Sequence, residues 1–194
     1  MTVRCARGAV AAATLLVLSG CAPSDKLVSA AAFGDIATVK SELARGVSAN
    51  GRNFAGQTPL IAATNMCQVD IVKVLLAAHA DPNARETDPH LTMTPLMIAA
   101  GYSHDNGCPD VVRALVSAGA DVNAHDKSGG TALDEAANEG ELEAANILVA
   151  AGANVNGGPD GITPLYYAQG VPGDAPVKGK VAIALMLQQH GGHL

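Results

Sequence analysis

The side chains of this 194-residue chain that could do covalent, metal or acid–base chemistry are few and widely spaced. There are four cysteines, Cys5, Cys21, Cys67 and Cys108, and six histidines, His79, His90, His104, His125, His190 and His193. Thiolates and imidazoles bind a transition metal only when three or four converge, and such sites usually show as tight local spacings. None of these residues has that spacing, although His190 and His193 could take up metal adventitiously. Two histidines have a carboxylate beside them, in His104-Asp105 and His125-Asp126, a pairing that solvated side chains often produce. An enzyme reading would need a polar pocket around Tyr102, His104 and Asp105, and no second catalytic element accompanies that segment. No glycine-rich phosphate loop, nucleophile elbow or Cys–His nucleophile arrangement stands out. Asp134, Glu135, Glu139, Glu141 and Glu143 form an acidic run, which is either a solvated helical face or a patch for a basic partner. The expectation is a protein that is not an enzyme, with no catalytic residue, metal site, cofactor or small-molecule substrate.

The elements carrying these residues repeat. Thr58-Pro59-Leu60, Thr94-Pro95-Leu96, Thr131-Ala132-Leu133 and Thr163-Pro164-Leu165 each open an apolar, helix-like run that is followed by a second. Counting one unit before the first of these, the second runs close on Gly46, His79, Gly119, Gly152 and Gly191, which are 33, 40, 33 and 39 residues apart. A recurrence at this period signals stacked supersecondary units. Threonine suits a helix N-cap and proline the first helical position. Ile71, Val72, Leu75 and Leu76, and again Val111, Val112, Leu115 and Val116, fall at i, i+1, i+4, i+5, a helical stripe. The alanine pairs Ala62-Ala63, Ala99-Ala100 and Ala136-Ala137 let neighbouring helices approach. Glycine after the second helix suits a left-handed cap, and the Asn- and Asp-rich segments beyond it are turn chemistry.

These motifs, best developed in Thr94–Ala100, Asp110–Ala124 and Gly129–Ala137, resemble the ankyrin repeat over roughly residues 25–194. The resemblance implies an all-α solenoid of about five helix-turn-helix repeats with β-hairpin-like fingers, approximately 25–54, 55–84, 85–124, 125–156 and 157–194. It also implies protein–protein binding through the fingers and the first-helix surface. The histidine usual in the family after Thr-Pro-Leu is replaced by Ile61, Met97, Asp134 and Tyr166, which should weaken the hydrogen bonds linking the helices. The third finger, Arg85–Met93, is about three residues longer than its neighbours, and the turn Tyr102–Cys108 is longer as well. Such insertions either mark a binding side or reflect cheap drift in surface loops. Phe54 sits at a finger tip, either as an exposed anchor or folded onto a neighbouring finger. The candidate binding residues are therefore Phe54, Arg85, Glu86, Asp88, His90, Leu91, His125, Asp126 and Lys127. Cys67 and Cys108 fall in the turns of adjacent repeats. They form either a disulfide, stabilising by ~4 kcal/mol in the chain-entropy view, or two buried thiols.

The first 20 residues do not fit the repeat. Arg4 and Arg7 precede the apolar run Ala9–Leu18, which is too short to span a bilayer, so residues 1–20 read as a cleaved export signal. Leu18-Ser19-Gly20-Cys21 resembles the bacterial lipoprotein lipobox, which implies that Cys21 is lipidated and that residues 21–24 form a short tether. The alternative is an ordinary signal peptide and a free Cys21 thiol. Ala22 in place of aspartate points, in a Gram-negative host, to the outer membrane and its periplasmic face. The chain from Cys21 onward holds 10 basic and 18 acidic residues and five Phe or Tyr residues. That composition disfavours nucleic acid as a partner. The expected partners are an unidentified envelope protein and the membrane, through the lipid. Alternative roles are an immunity-type inhibitor of a periplasmic toxin, a stress-protection factor acting through a partner enzyme, or passive envelope structure.

Overall fold

The computed structural model describes residues 23–86, 92–102, 107–159, 161–170 and 178–194. Within them the chain forms five helix pairs. They are α1 (Pro23–Phe33) with α2 (Ile36–Ala44), α3 (Pro59–Asn65) with α4 (Val69–Ala77), α5 (Pro95–Met97) with α6 (Pro109–Ser117), α7 (Ala132–Glu139) with α8 (Leu142–Ala150), and α9 (Pro164–Gln169) with α10 (Lys178–Gln189). Helix α5 runs directly into a π-helical turn, Ile98–Tyr102, before the longer connection to α6. First helices stack on first helices and second on second, so one continuous core threads the array.

The Thr-Pro-Leu sentences act as expected. Thr58, Thr94, Thr131 and Thr163 cap their helices, their hydroxyls accepting from the backbone N–H groups of Ile61 (3.2 Å), Met97 (3.4 Å), Asp134 (3.4 Å) and Tyr166 (3.2 Å). These bonds satisfy donors that the first helical turn leaves open. Leu60, Leu96, Leu133 and Leu165 are buried, with Leu27 in the equivalent place in the first repeat. From the second helices, Val39, Ile71, Val72, Leu75, Val111, Val112, Leu115, Leu148, Ile183 and Leu187 fill the other half of the core. The alanine pairs are buried, as close helix approach requires. Gly101 lies at one such close approach, where an added Cβ would be 2.8 Å from the Glu135 carbonyl oxygen.

Asparagines join one repeat to the next. The side-chain amides of Asn50, Asn83 and Asn123 donate to the carbonyls of His79 (3.0 Å), Gly119 (3.4 Å) and Gly152 (3.4 Å). Their Oδ1 atoms accept from the N–H groups of Asp81 (2.8 Å), Asp121 (2.8 Å) and Asn154 (2.7 Å). Asn156 accepts from the His193 N–H at 3.1 Å, which closes the ladder at the last repeat. Residues that read in sequence as local turn formers therefore bridge repeats.

The structure refines several expectations. Pro23 and Ser24 of the expected tether are already helical, because proline is well suited to a first helical turn. At Asp134, where the family's histidine is replaced, the side chain caps its own helix. Its carboxylate accepts from the Thr131 backbone N–H (2.8 Å) and hydroxyl (2.7 Å), completing a capping box. The fingers are hairpin-like turns without named strands among the described residues, and their one ladder contact is an antiparallel bridge between His125 and Thr131. Cys67 and Cys108 are joined as a disulfide between the turns of repeats two and three, with Cα atoms 5.8 Å apart. That separation lies in the normal range for such a bond.

Candidate protein-binding surface

The third and fourth fingers form one groove. Arg85 leaves the base of the third finger and donates from Nη1 to the Thr92 carbonyl (3.1 Å) and, across the repeat boundary, to the His125 carbonyl (2.8 Å). The Lys127 N–H donates to the Thr92 hydroxyl at 3.0 Å. The Asp126 carboxylate folds the fourth finger by accepting from the N–H groups of Ser128 (2.8 Å) and Gly130 (3.0 Å). Between the fingers lies a cavity of about 550 Å³ lined by Arg85, Thr92, His125, Asp126, Lys127 and Pro159, among others. Arg85, a candidate from the third finger, thus shares one groove with His125, Asp126 and Lys127 of the fourth. Thr92 and Pro159 were missed. Each is unremarkable by residue type; Thr92 joins the groove through Lys127 of the next repeat, and Pro159 lines it from the fifth repeat.

Glu86 lies at the finger base, its N–H donating to the Met93 carbonyl at 3.3 Å. Asp88, His90, Leu91, His104, Asp105 and Cys21 lie outside the described residues, as does the side chain of Tyr102. Phe54 is 92% exposed, so it does not fold onto the next finger. Its N–H donates to Asp25 Oδ1 at 3.1 Å, on α1. Phe54 is therefore anchored to the first repeat and not to the groove.

The acidic run is not one patch. Asp134 is a buried cap. Glu143 pairs with Arg113 of α6 on the second-helix side, beside the Arg113–Asp110 contact at 2.9 Å. Glu135 and Glu139 remain on the first-helix side. Burial pushes the Glu135 carboxyl up to about 7, with further upward pressure from Asp126, Asp134 and Glu139. A half-buried carboxylate at the foot of a finger therefore titrates near neutrality. Among the described residues no group of three or more His, Cys, Asp or Glu side chains is placed to hold a metal ion. His193 instead contacts Asn156, and His190 the Met186 carbonyl.

A capped, alanine-packed array that projects fingers beside a first-helix surface is a repeat-built binding scaffold. Comparison with known proteins supplies the family. The sequence profile for ankyrin repeats, in three copies, matches residues 27–126 and 96–174, and the chain belongs to the ankyrin-repeat family. It is 33% identical over 171 residues to the ankyrin repeat protein YahD of Escherichia coli (strain K12), covering 87% of this chain and 80% of YahD. It is 34% identical over 127 residues to the glycerophosphocholine phosphodiesterase gde1 of Schizosaccharomyces pombe, covering 65% of this chain and 11% of gde1. It is 34% identical over 143 residues to the ankyrin repeat and KH domain-containing protein CBG24701 of Caenorhabditis briggsae, covering 73% of this chain and 5% of that protein. The chain therefore spans only a small part of the length of the latter two. Ankyrin repeats are in general protein-binding elements and typically non-enzymatic, and the gde1 match takes in only a fraction of that enzyme.

Proposed function

We propose that this chain is a non-catalytic protein-binding module, held on the bacterial envelope through a lipidated Cys21, that grips a protein partner in the groove between its third and fourth fingers. The observation that carries this reading is the convergence of Arg85, Thr92, His125, Asp126 and Lys127 on one cavity within an ankyrin array. Binding loops on a rigid scaffold lose little entropy on association, and a few central anchors then supply most of the affinity. The third finger is also about three residues longer in sequence than its neighbours. The lipobox-like Leu18–Cys21 supports the anchor, since acyl chains that each bury many methylenes hold a protein on a bilayer. Ala22 supports the outer membrane as its destination in a Gram-negative host. The partner is then an envelope protein, either one the array recruits or a toxin-like enzyme it restrains.

The test is crosslinking of the chain in its own cells and capture of what it holds. Wild type is compared with a version carrying Arg85→Ala and Lys127→Ala and a shortened 85–93 finger. One dominant partner, reduced at least about tenfold in the altered version, supports the groove; that change corresponds to roughly 1.4 kcal/mol. Equal recovery from both rejects it. The mass of the chain recovered from membranes reads the lipid on Cys21 directly.

A further inference from the structure

The finger that carries Phe54 is packed on the first residues of α1. An added Cβ on Gly51 would lie 3.2 Å from the Ser24 Cβ, and the Phe54 N–H is held by Asp25. Ser24 follows Cys21 by three residues, which span at most ~11 Å when fully extended. Whatever holds Cys21 therefore brings the most exposed aromatic side chain of the described residues close to the same place.

Charge divides the chain at the same boundary. Residues 23–57 hold four basic side chains (Lys26, Lys40, Arg45, Arg52) against three acidic ones (Asp25, Asp35, Glu42). Residues 58–194 hold six basic against fifteen acidic. Both phenylalanines of the chain, Phe33 and Phe54, lie in the first stretch, and both are more than 80% exposed. Lys26 and Arg45 share the buried carboxylate of Glu42 yet remain 58% and 68% exposed, and Arg52 lies on the surface two residues from Phe54. Asp25 is the opposing carboxylate in this neighbourhood.

We infer that the first repeat is a membrane-docking surface: Phe54 enters the interface of an anionic phospholipid bilayer beside Arg52 and Lys26, and the acidic repeats with their finger groove are turned away from the lipid. The inference rests on Cys21 being the point of attachment. An exposed phenylalanine buries its apolar ring at the headgroup–acyl boundary, and a basic side chain near an anionic surface adds about 1 kcal/mol. The strongly acidic remainder is repelled by the same surface, so both terms select one orientation. Tethering raises the local concentration, so the surface need not be strong in free solution.

The chain contains no tryptophan, so a single introduced one reports its own surroundings. The mature chain from residue 21 keeps every described element. With Cys67 and Cys108 joined, Cys21 is its one free thiol. It is coupled through Cys21 to a maleimide-headgroup lipid in vesicles of phosphatidylglycerol and phosphatidylethanolamine with brominated acyl chains. Phe54→Trp is compared with Tyr166→Trp, an exposed site in the last repeat. Circular dichroism confirms the fold of each. The expected result is blue-shifted, strongly quenched emission at position 54 and water-like, unquenched emission at 166. Adding Arg52→Gln, or replacing the phosphatidylglycerol by phosphatidylcholine, should reduce the docked-to-free ratio about fivefold or more. Equal quenching at the two positions overturns the proposal. So does quenching at 54 that ignores both Arg52 and the anionic lipid. Because the attachment is chemical, the outcome does not depend on whether cells lipidate Cys21, which the mass of the cellular protein decides separately.

Discussion

At the residue scale, two side chains stand where another would fit better. His79 has φ of 61° at the position that Gly46, Gly119, Gly152 and Gly191 occupy with φ between 85° and 89°. A residue with a Cβ pays about 1–2 kcal/mol in this region, against 0.5–1 kcal/mol of extra chain entropy for glycine. His79→Gly should therefore stabilise the fold by about 0.5–1 kcal/mol, read as a higher urea midpoint at unchanged slope. Glu135 is the second case. Its carboxyl is raised to about 7 in the fold, above its ordinary value, so the folded state binds its proton more tightly than the unfolded chain does. Stability from this group is greatest below about pH 4.5, declines as pH rises towards 7, and stays lost above. Glu135→Gln should thus raise stability by roughly 2 kcal/mol at pH 8 and leave it nearly unchanged at pH 4. Thermal melts across that range check the sign, and parallel pH profiles for the two proteins would reject the assignment.

At the element scale, one tight contact is between the first helices of repeats three and four. Gly101, in the π-helical turn, sits against the Glu135 backbone, and a Cβ there would meet the carbonyl oxygen at 2.8 Å and its carbon at 2.9 Å. Neither helix backbone can move aside without disturbing the alanine pairs Ala99-Ala100 and Ala136-Ala137. Gly101→Ala should destabilise by about 1–2 kcal/mol, overpacking outweighing the gain in helix propensity. Denaturant unfolding measures it, and a neutral or stabilising result would mean that the two helices are less tightly seated. The helices themselves were legible from threonine caps and apolar spacing, because these are local. The asparagine ladder was not, since an Asn that bonds its own turn and one that bonds the next repeat look alike in sequence.

At the scale of the whole molecule, the proposed partner groove and the proposed membrane-docking surface lie in different repeats. The groove belongs to the junction of repeats three and four, while Phe54 belongs to the first repeat, beside the expected anchor. Residue type and finger position alone group Phe54 with Arg85 and His125. Packing places Phe54 on α1 and brings Arg85 to the His125 carbonyl, so the set divides in two.

Residue order alone carries the repeat, its period, the caps and the core faces, and it leaves Cys67 and Cys108 as either a disulfide or two buried thiols. Each of these depends on chemistry within a few residues or on a recurrence that neighbouring units must share. Which fingers share a groove, the burial of Asp134 in its capping box and the raising of the Glu135 carboxyl to about 7 come from the stacked fold. Those outcomes depend on distances across repeat boundaries. There, desolvation and backbone approach are set by the stack, and residue order alone does not encode them.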